Sequence, residues 1–236
     1  MYENQKFFEK KAAESSEFVI DLDNDQSQEN LSPQKLVEIG DCFVYDEAGN
    51  RFTMNQLWSE FKTIFVFVRS FLCFTSKEYI EDLALIQREK LKEAQVRLVV
   101  IGCAHWKHIR NFRKLTKYPY LIFCDTDYDI YNRLGFHKNK DVGRPGDSPH
   151  VKSTNFSGYF SSLYRAVTSS SSFDYQGDLQ QQGGSLIVSP GPVVHYYHAD
   201  ATGRDHTPIN TLLAKVGMKP ILFNHNNQSE KQILNL

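Results

Sequence analysis

Residues 64–73, Ile64-Phe65-Val66-Phe67-Val68-Arg69-Ser70-Phe71-Leu72-Cys73, contain the stretch that decides the fold. The first five residues are apolar β-formers without alternation, which is typical of a strand covered on both faces of a sheet. An amphipathic helix is predicted directly after this segment, over 75–93, from apolar residues at helical spacing. Cys73 therefore lies where a strand passes into a helix. Backbone N–H groups and the positive helix end can stabilise a thiolate at such a junction.

The periodicity on either side predicts a strand–helix–strand–helix–strand unit that is followed by a hairpin and a helix. The predicted strands are 42–45, 51–53, 64–68, 96–101, 120–124, 185–188 and 193–198, and the predicted helices are 75–93, 105–115 and 208–216. Strands joined through helices pair in parallel, whereas the short linker at 189–192 requires an antiparallel hairpin. Thr207 is available as the N-cap of the last helix, with Pro208 at its first position.

A βαβ half followed by a ββα half is the thioredoxin arrangement. The predicted fold class is therefore α/β, thioredoxin-like (βαβ plus ββα), with an N-terminal hairpin and an inserted amphipathic helix. Inside the insertion, at 136–182, apolar side chains repeat at helical spacing: Phe156, Tyr159, Phe160, Leu163, Tyr164 and Val167. This aromatic face either packs on the sheet or forms a surface for a partner or substrate. The domain is predicted over 37–218, between flexible polar tails at 1–36 and 219–236.

The composition excludes several classes of protein. The chain has 27 basic and 28 acidic residues and a net charge of −1, which favours neither nucleic acid nor an anionic membrane as a partner. We find no secretory signal, and no apolar run approaches the roughly 18 residues that span a bilayer. The four cysteines are widely spaced, so we expect free thiols in a reducing compartment and a cytoplasmic location.

Cys73 is the candidate nucleophile. Ser76 occupies the position at which a dithiol redox motif would place its second cysteine, so Cys73 cannot form a disulfide within its own turn. Groups that could lower the pKa of the thiol lie close by in the sequence: Arg69, Ser70, Thr75, Ser76 and Lys77. The predicted catalytic residues are Cys73, Ser70 and Ser76, and no cofactor-binding or metal-binding residue is predicted.

A lone thiol restricts the chemistry that is available. Peroxide can oxidise it to sulfenic acid, and it can form a mixed disulfide with glutathione or a protein thiol. Cys42 and Cys103 are both candidates for a resolving thiol, because the sequence alone places neither relative to Cys73. His105 and His108 share a helix face near Cys103, but no further Cys or His pair completes a zinc site, so we expect no bound metal.

Several segments resemble one known family. In order along the chain, they are 65–73, 77–83, 99–102, 130–135, 148–153, 163–168, 173–178 and 181–184. Together they resemble the AhpC/TSA antioxidant-domain proteins and, more narrowly, the vertebrate-type peroxiredoxin-like subfamily with one such domain. The resemblance covers about residues 40–218 and implies a thioredoxin fold and a redox function.

The resemblance also implies roles for single residues. Some relatives form a Cys-x-x-Cys disulfide and reduce prostaglandin-type endoperoxides with reducing equivalents from NADPH; Cys73 matches their first cysteine and Ser76 replaces the second. Ser70 matches the Ser/Thr that lies three residues before the peroxidatic cysteine of true peroxiredoxins. The proline of those enzymes is Val66 here, and their peroxide-orienting arginine is replaced within 182–184.

Two functions are therefore expected. The first is a peroxiredoxin-like thiol antioxidant or oxidoreductase that uses Cys73 in a CxxS variant of the motif. It would bind no cofactor and would receive reducing equivalents from glutathione or from thioredoxin/NADPH. The alternative is a catalytically weak or inactive thioredoxin-fold protein that acts as a regulatory or signalling module for a protein partner. Neither hypothesis involves nucleic acid or a membrane.

Overall fold

A computed structural model of the chain describes residues 31–153, 177–178 and 180–223. The strands are β1 Phe43–Tyr45, β2 Arg51–Thr53, β3 Lys62–Val68, β4 Val96–Gly102, β5 Leu121–Cys124, β6 Gly184–Ser189 and β7 Val193–Ala199. The helices are α1 Pro33–Gly40, α2 Met54–Trp58, α3 Phe74–Leu83, α4 Arg88–Glu93, α5 Ile109–Thr116, α6 Asp129–Leu134 and α7 Ile209–Lys215, with a 3-10 turn at Trp106–His108. These strands form one sheet in the order β2-β1-β5-β4-β3-β6-β7.

The strand pairing is the one that the connections require. β3 and β4 are parallel from Lys62 opposite Val96 to Val68 opposite Gly102, and β5 continues the parallel group beside β4. β6 lies antiparallel to β3 on its other side, and β7 pairs with β6 as a hairpin. The predicted βαβ and ββα halves are therefore confirmed, and β3 lies between them.

β3 supplies the centre of both hydrophobic layers. Ile64, Val66 and Val68 point into one buried cluster, and Phe65 and Phe67 point into the other, on the opposite face. Each of these five side chains is at most 1% exposed. Because both faces of the strand are covered, positions 64–68 are all apolar, and each such side chain contributes roughly 1.5–3 kcal/mol through burial. The end of this strand is consequently a rigid support for the loop that carries Cys73.

The helix predicted over 75–93 is interrupted. It consists of α3 and α4, separated by residues 84–87. Leu85 and Ile86 donate their N–H groups three residues back, to Asp82 and Leu83, which tightens the last turn. The hydroxyl of Tyr120 donates to the carbonyl oxygen of Ile86, which a continuous helix would have used internally. The prediction of one helix was therefore wrong at its middle.

The packed domain extends further than 37–218. α1 begins at Pro33 and buries Leu36, which lies within the predicted tail 1–36. At the other end, Phe223 is buried against the core within the predicted tail 219–236. Three helices, α1, α2 and α6, were not predicted at all.

Two further predictions concern the N-cap of α7 and the aromatic helix of the insertion. Thr207 is not the N-cap of α7, because Pro208 holds that position without a side-chain cap bond. The Thr207 hydroxyl lies 3.3 Å from the Tyr196 hydroxyl instead, and its carbonyl oxygen accepts from Tyr79 at 2.7 Å. The predicted aromatic helix between Phe156 and Val167 lies outside the described residues. None of the helices within the described ranges is both long and apolar enough to cross a bilayer.

Candidate functional site

Cys73 caps the N-terminus of α3 with an extended backbone, at φ −77° and ψ 124°. A tight turn brings it there: the Cys73 N–H donates to the Ser70 carbonyl at 3.2 Å, and the Leu72 N–H donates to the Ser70 hydroxyl at 3.2 Å. Phe71 lies over Gly102 at the end of β4, where a Cβ atom would come within 2.5 Å of the ring. The turn folds back onto the sheet as a result, and Cys73 is only 3% exposed.

Two side chains contact the sulfur of Cys73. Arg69 Nε donates to Sγ at 3.1 Å, and Thr75 Oγ1 lies 2.9 Å from Sγ. The backbone N–H of Ser76, in the first turn of α3, also lowers the pKa of the thiol. Burial raises the pKa of Cys73, but the Arg69 charge and these hydrogen bonds outweigh it, so that the pKa lies below the ordinary thiol value. The site is therefore built to hold a thiolate.

The predicted site residues contribute in different ways. The Ser70 hydroxyl shapes the turn by accepting from Leu72, and Ser76 acts through its backbone N–H. The Ser76 hydroxyl is buried and has no hydrogen-bond partner within the described ranges. Lys77 forms an ion pair with Glu81 at 2.6 Å. The side chains that contact the sulfur are Arg69 and Thr75, which the sequence suggested only as neighbours.

A loop after β7 encloses the Arg69 guanidinium. A Cβ atom at Gly203 would lie 2.9 Å from Arg69 Nη1, so the loop backbone passes directly against this side chain. Arg69 is 6% exposed, and among the described residues its Nη1 has no hydrogen-bond partner. Sequence reasoning missed this loop completely, because nothing in its composition links it to a cysteine 130 positions earlier.

Two titratable groups of the same loop interact electrostatically with Arg69. Burial raises the pKa of Asp200 well above its ordinary value, against the opposing influence of His198 and Arg69. Burial and the Arg69 charge lower the pKa of His206 to about 3. His206 is therefore neutral near pH 7, and burial also disfavours the charge on Asp200. The Cys73 sulfur is the group that contacts the Arg69 guanidinium directly, at 3.1 Å from Nε.

The remaining cysteines are held as thiols. Cys103 donates to the Arg69 carbonyl oxygen at 2.9 Å, and burial raises its pKa to about 12. Burial also raises the pKa of Cys124 well above its ordinary value, and that of Cys42 to a lesser degree. All four cysteines are free.

Cys42 is also distant from Cys73. It precedes β1, which is three strand positions from β3, a lateral separation of about 14 Å. Tyr45, at the end of β1, pairs with Cys124, so the antiparallel β1 places Cys42 toward the same edge of the sheet as Cys73, but three strands away. Because a disulfide needs Cα atoms within about 7 Å, Cys42 cannot pair with Cys73 in this fold.

In the described part of the chain, no group of three or more His, Cys, Asp or Glu side chains is arranged to hold a metal ion. His105 accepts from the Lys107 backbone N–H, and its ring packs beside Trp106.

Comparisons with known proteins identify the family to which the chain belongs. The family model described as AhpC/TSA antioxidant enzyme matches residues 84–202. Peroxiredoxin-like 2C of Mus musculus is 47% identical over 180 residues, which are 76% of this chain and 79% of that protein. The chain belongs to the AhpC/TSA family. Within it, the similarity to the peroxiredoxin-like 2C proteins extends over most of both chains.

Other members of the AhpC/TSA family and a solved structure are more distant. Prostamide/prostaglandin F synthase of Xenopus laevis is 26% identical over 177 residues, covering 72% of this chain and 82% of that protein. A reduced peroxiredoxin from Vibrio vulnificus, crystallised with hydrogen peroxide, superposes with a TM-score of 0.52 at 12% identity. The superposition covers 76% of this chain and 96% of the Vibrio protein, and it shows the thioredoxin-like fold.

Proposed function

We propose that the protein reduces peroxides with Cys73 as the attacking thiolate. The observation that carries this proposal is the contact of 3.1 Å between Arg69 Nε and Cys73 Sγ. A buried cysteine without a positive neighbour keeps its proton, as Cys103 does with a pKa of about 12. Cys73 is buried as well, yet the balance of charge and hydrogen bonds favours its thiolate. Membership of the AhpC/TSA family supports a redox role for such a thiolate.

The proposed reaction has two stages. The Cys73 thiolate attacks the outer oxygen of a hydroperoxide: a sulfur–oxygen bond forms, the oxygen–oxygen bond breaks, and the alkoxide leaves with a proton as an alcohol. The sulfur loses two electrons and becomes a sulfenic acid. A first external thiol then displaces water and forms a mixed disulfide, and a second thiol releases reduced Cys73 and carries away the new disulfide.

Arg69 has a second role in the proposal. Its Nη1 is buried without a partner among the described residues, and in the proposal it donates to the developing charge on the leaving oxygen. Residues 182–184, where true peroxiredoxins carry their arginine, make other contacts here. The Gln182 side chain donates to Asn139 and Asp141, and a Cβ atom at Gly183 would come within 1.9 Å of the Phe67 carbonyl oxygen. We infer that Arg69, four residues before Cys73, supplies the guanidinium that true peroxiredoxins carry at the position of residues 182–184.

The reductant is proposed to be an external thiol, glutathione or thioredoxin supplied by NADPH. Ser76 provides no sulfur, and Cys42 is too far from Cys73. Cys103 is nearer in the sheet, but its raised pKa makes it a poor nucleophile at neutral pH. A cytoplasmic location, which would supply these thiols, remains part of the proposal.

Stoichiometric oxidation followed by peptide mass spectrometry tests the nucleophile. With one equivalent of hydrogen peroxide, we expect one oxygen atom on the Cys73 peptide, and glutathione should convert it to a glutathione adduct. Cys42→Ser is the matched control and should react like the wild-type protein. Oxygen on another cysteine, or turnover of peroxide that survives Cys73→Ser, would refute the assignment. If no cysteine reacts, the alternative of an inactive regulatory module is favoured instead.

A further inference from the structure

Arg204 is a buried cation that forms no ion pair with the described residues. It is 2% exposed, and its Nη2 donates to the carbonyl oxygen of Ser153 at 2.8 Å. Its Nε and Nη1 have no hydrogen-bond partner within the described ranges, and no carboxylate of these ranges lies within ion-pair distance of it. An unpaired buried charge is strongly unfavourable, so such a group needs a counter-ion or ordered polar ligand.

The acidic side chains of the neighbouring loop are engaged elsewhere. Asp205 interacts with His198 at 3.4 Å and accepts from the Ala201 N–H at 2.8 Å. Asp200 faces Gly183 and lies 3.6 Å from His198. Arg69 Nε contacts the Cys73 sulfur, whereas no equivalent group contacts the free donors of Arg204 within the described ranges.

Arg204 lies beside the reactive cysteine. Its guanidinium carbon is 5.4 Å from the centre of the Phe74 ring, and Phe74 is the first residue of α3, directly after Cys73. On the other side, Arg204 follows Gly203, which contacts the Arg69 guanidinium. Two buried arginines therefore flank the first turn of α3, one paired with the sulfur and one with unused donors.

We propose that Arg204 binds the carboxylate of the molecule that reacts at Cys73. This inference rests on the proposed function and adds a specificity-determining residue to it. A guanidinium has five N–H donors, of which the Ser153 contact uses one, so a bidentate pair remains for a carboxylate. A carboxylate supplies the single negative charge that Arg204 lacks. It can belong to the hydroperoxide in the first stage or to the thiol reductant in the second.

The first arm of the test uses linoleic acid hydroperoxide and its methyl ester, both below the critical micelle concentration. The rate of sulfenic acid formation at Cys73 is measured with each, and the ratio of acid to ester is the result. We expect a ratio of about 10 or more in the wild-type protein, because hydrogen bonds to charged groups are worth at least that factor. Arg204→Met should bring the ratio close to one, and Arg204→Lys should retain part of it. Arg144→Met, an exposed arginine nearby in the fold, should keep the wild-type ratio.

The second arm measures the reduction of oxidised Cys73 by glutathione and by glutathione diethyl ester. The result is the ratio of the rate with glutathione to the rate with the ester. If this ratio is above one and Arg204→Met abolishes the difference, the carboxylate belongs to the reductant. If Arg204→Met changes the ratio in either arm, the carboxylate site is supported and its source identified. If both wild-type ratios are close to one, the inference is overturned, whatever the variants do.

The neutral tert-butyl hydroperoxide separates this inference from the proposed function. Oxidation of Cys73 by this probe, with acid and ester equally reactive, would leave the proposed function intact and remove the role of Arg204. Absence of oxidation by every peroxide would refute the proposed function itself, and the carboxylate site with it.

Discussion

Replacement of Arg69 by methionine tests the central electrostatic argument. Methionine keeps much of the side-chain volume but removes the charge and the Nε donor that lies 3.1 Å from Cys73 Sγ. The Thr75 hydroxyl remains, so the sulfur keeps one of its two side-chain contacts. Burial should then dominate, and the pKa of Cys73 should rise above its ordinary value of 9.0.

Cys103 gives the upper limit of this change. It is fully buried without a positive partner, and its pKa is about 12. In the wild-type protein the pKa of Cys73 lies below its ordinary value, so in the variant it should move toward that of Cys103. A hydrogen bond to a charged group is worth about 1.5–3 kcal/mol, so loss of the Arg69 contact should lower the thiolate fraction at pH 7 by about tenfold to a hundredfold.

The assay is the rate of iodoacetamide alkylation of Cys73 against pH, read from the Cys73 peptide by mass spectrometry. The midpoint should move upward in Arg69→Met and stay near the wild-type value in Arg69→Lys, which keeps the charge. Arg133→Met, which loses an exposed ion pair with Glu38, is the matched control and should leave the midpoint unchanged. An unchanged midpoint in folded Arg69→Met would refute the argument, because the thiolate would then not depend on the guanidinium.

Three further outcomes are expected. Gly203→Ala should displace the Arg69 guanidinium, whose Nη1 would lie 2.9 Å from the new Cβ, and so raise the alkylation midpoint of Cys73; Gly40→Ala, at the end of α1, should not. Ser76→Cys should restore a dithiol motif and form a disulfide with Cys73 after one equivalent of peroxide, seen as a loss of two hydrogens in the intact mass; persistence of free thiols would contradict the helix-start geometry. Cys103→Ser should leave peroxide turnover with glutathione unchanged, whereas its loss would identify Cys103 as the resolving thiol.

The strands and the position of Cys73 were predictable from the sequence for a physical reason. A strand segment covered on both faces favours apolar residues at successive positions, so residues 64–68 of β3 are recognisable without their partners. Helices α1 and α2 are short, and their hydrophobic patterns are too brief to show a period. Their caps were nevertheless readable: Ser32 accepts from the Lys35 N–H, and Thr53 and Gln56 form a capping box.

The surroundings of Cys73 were only partly predictable. The proximity of Arg69 in sequence suggested a contact, but the tight turn at Ser70 decides that its Nε reaches the sulfur. The neighbours after β7 could not be predicted, because Gly203 and Arg204 approach α3 only after the antiparallel hairpin has formed. Gly203 carries no chemistry of its own, so no residue pattern marks it as part of the site.

The pairing of Cys73 with Arg69 couples the oxidation state of the sulfur to the stability of the fold. In the reduced protein, a buried guanidinium is compensated by a buried thiolate, and the donors around the sulfur are in use. A sulfenic acid is neutral at neutral pH, so oxidation leaves the Arg69 charge without its counter-ion in a region that excludes water. We therefore expect the start of α3 to loosen once Cys73 is oxidised. The oxidised thiol would become accessible to its reductant at the moment when reduction is required.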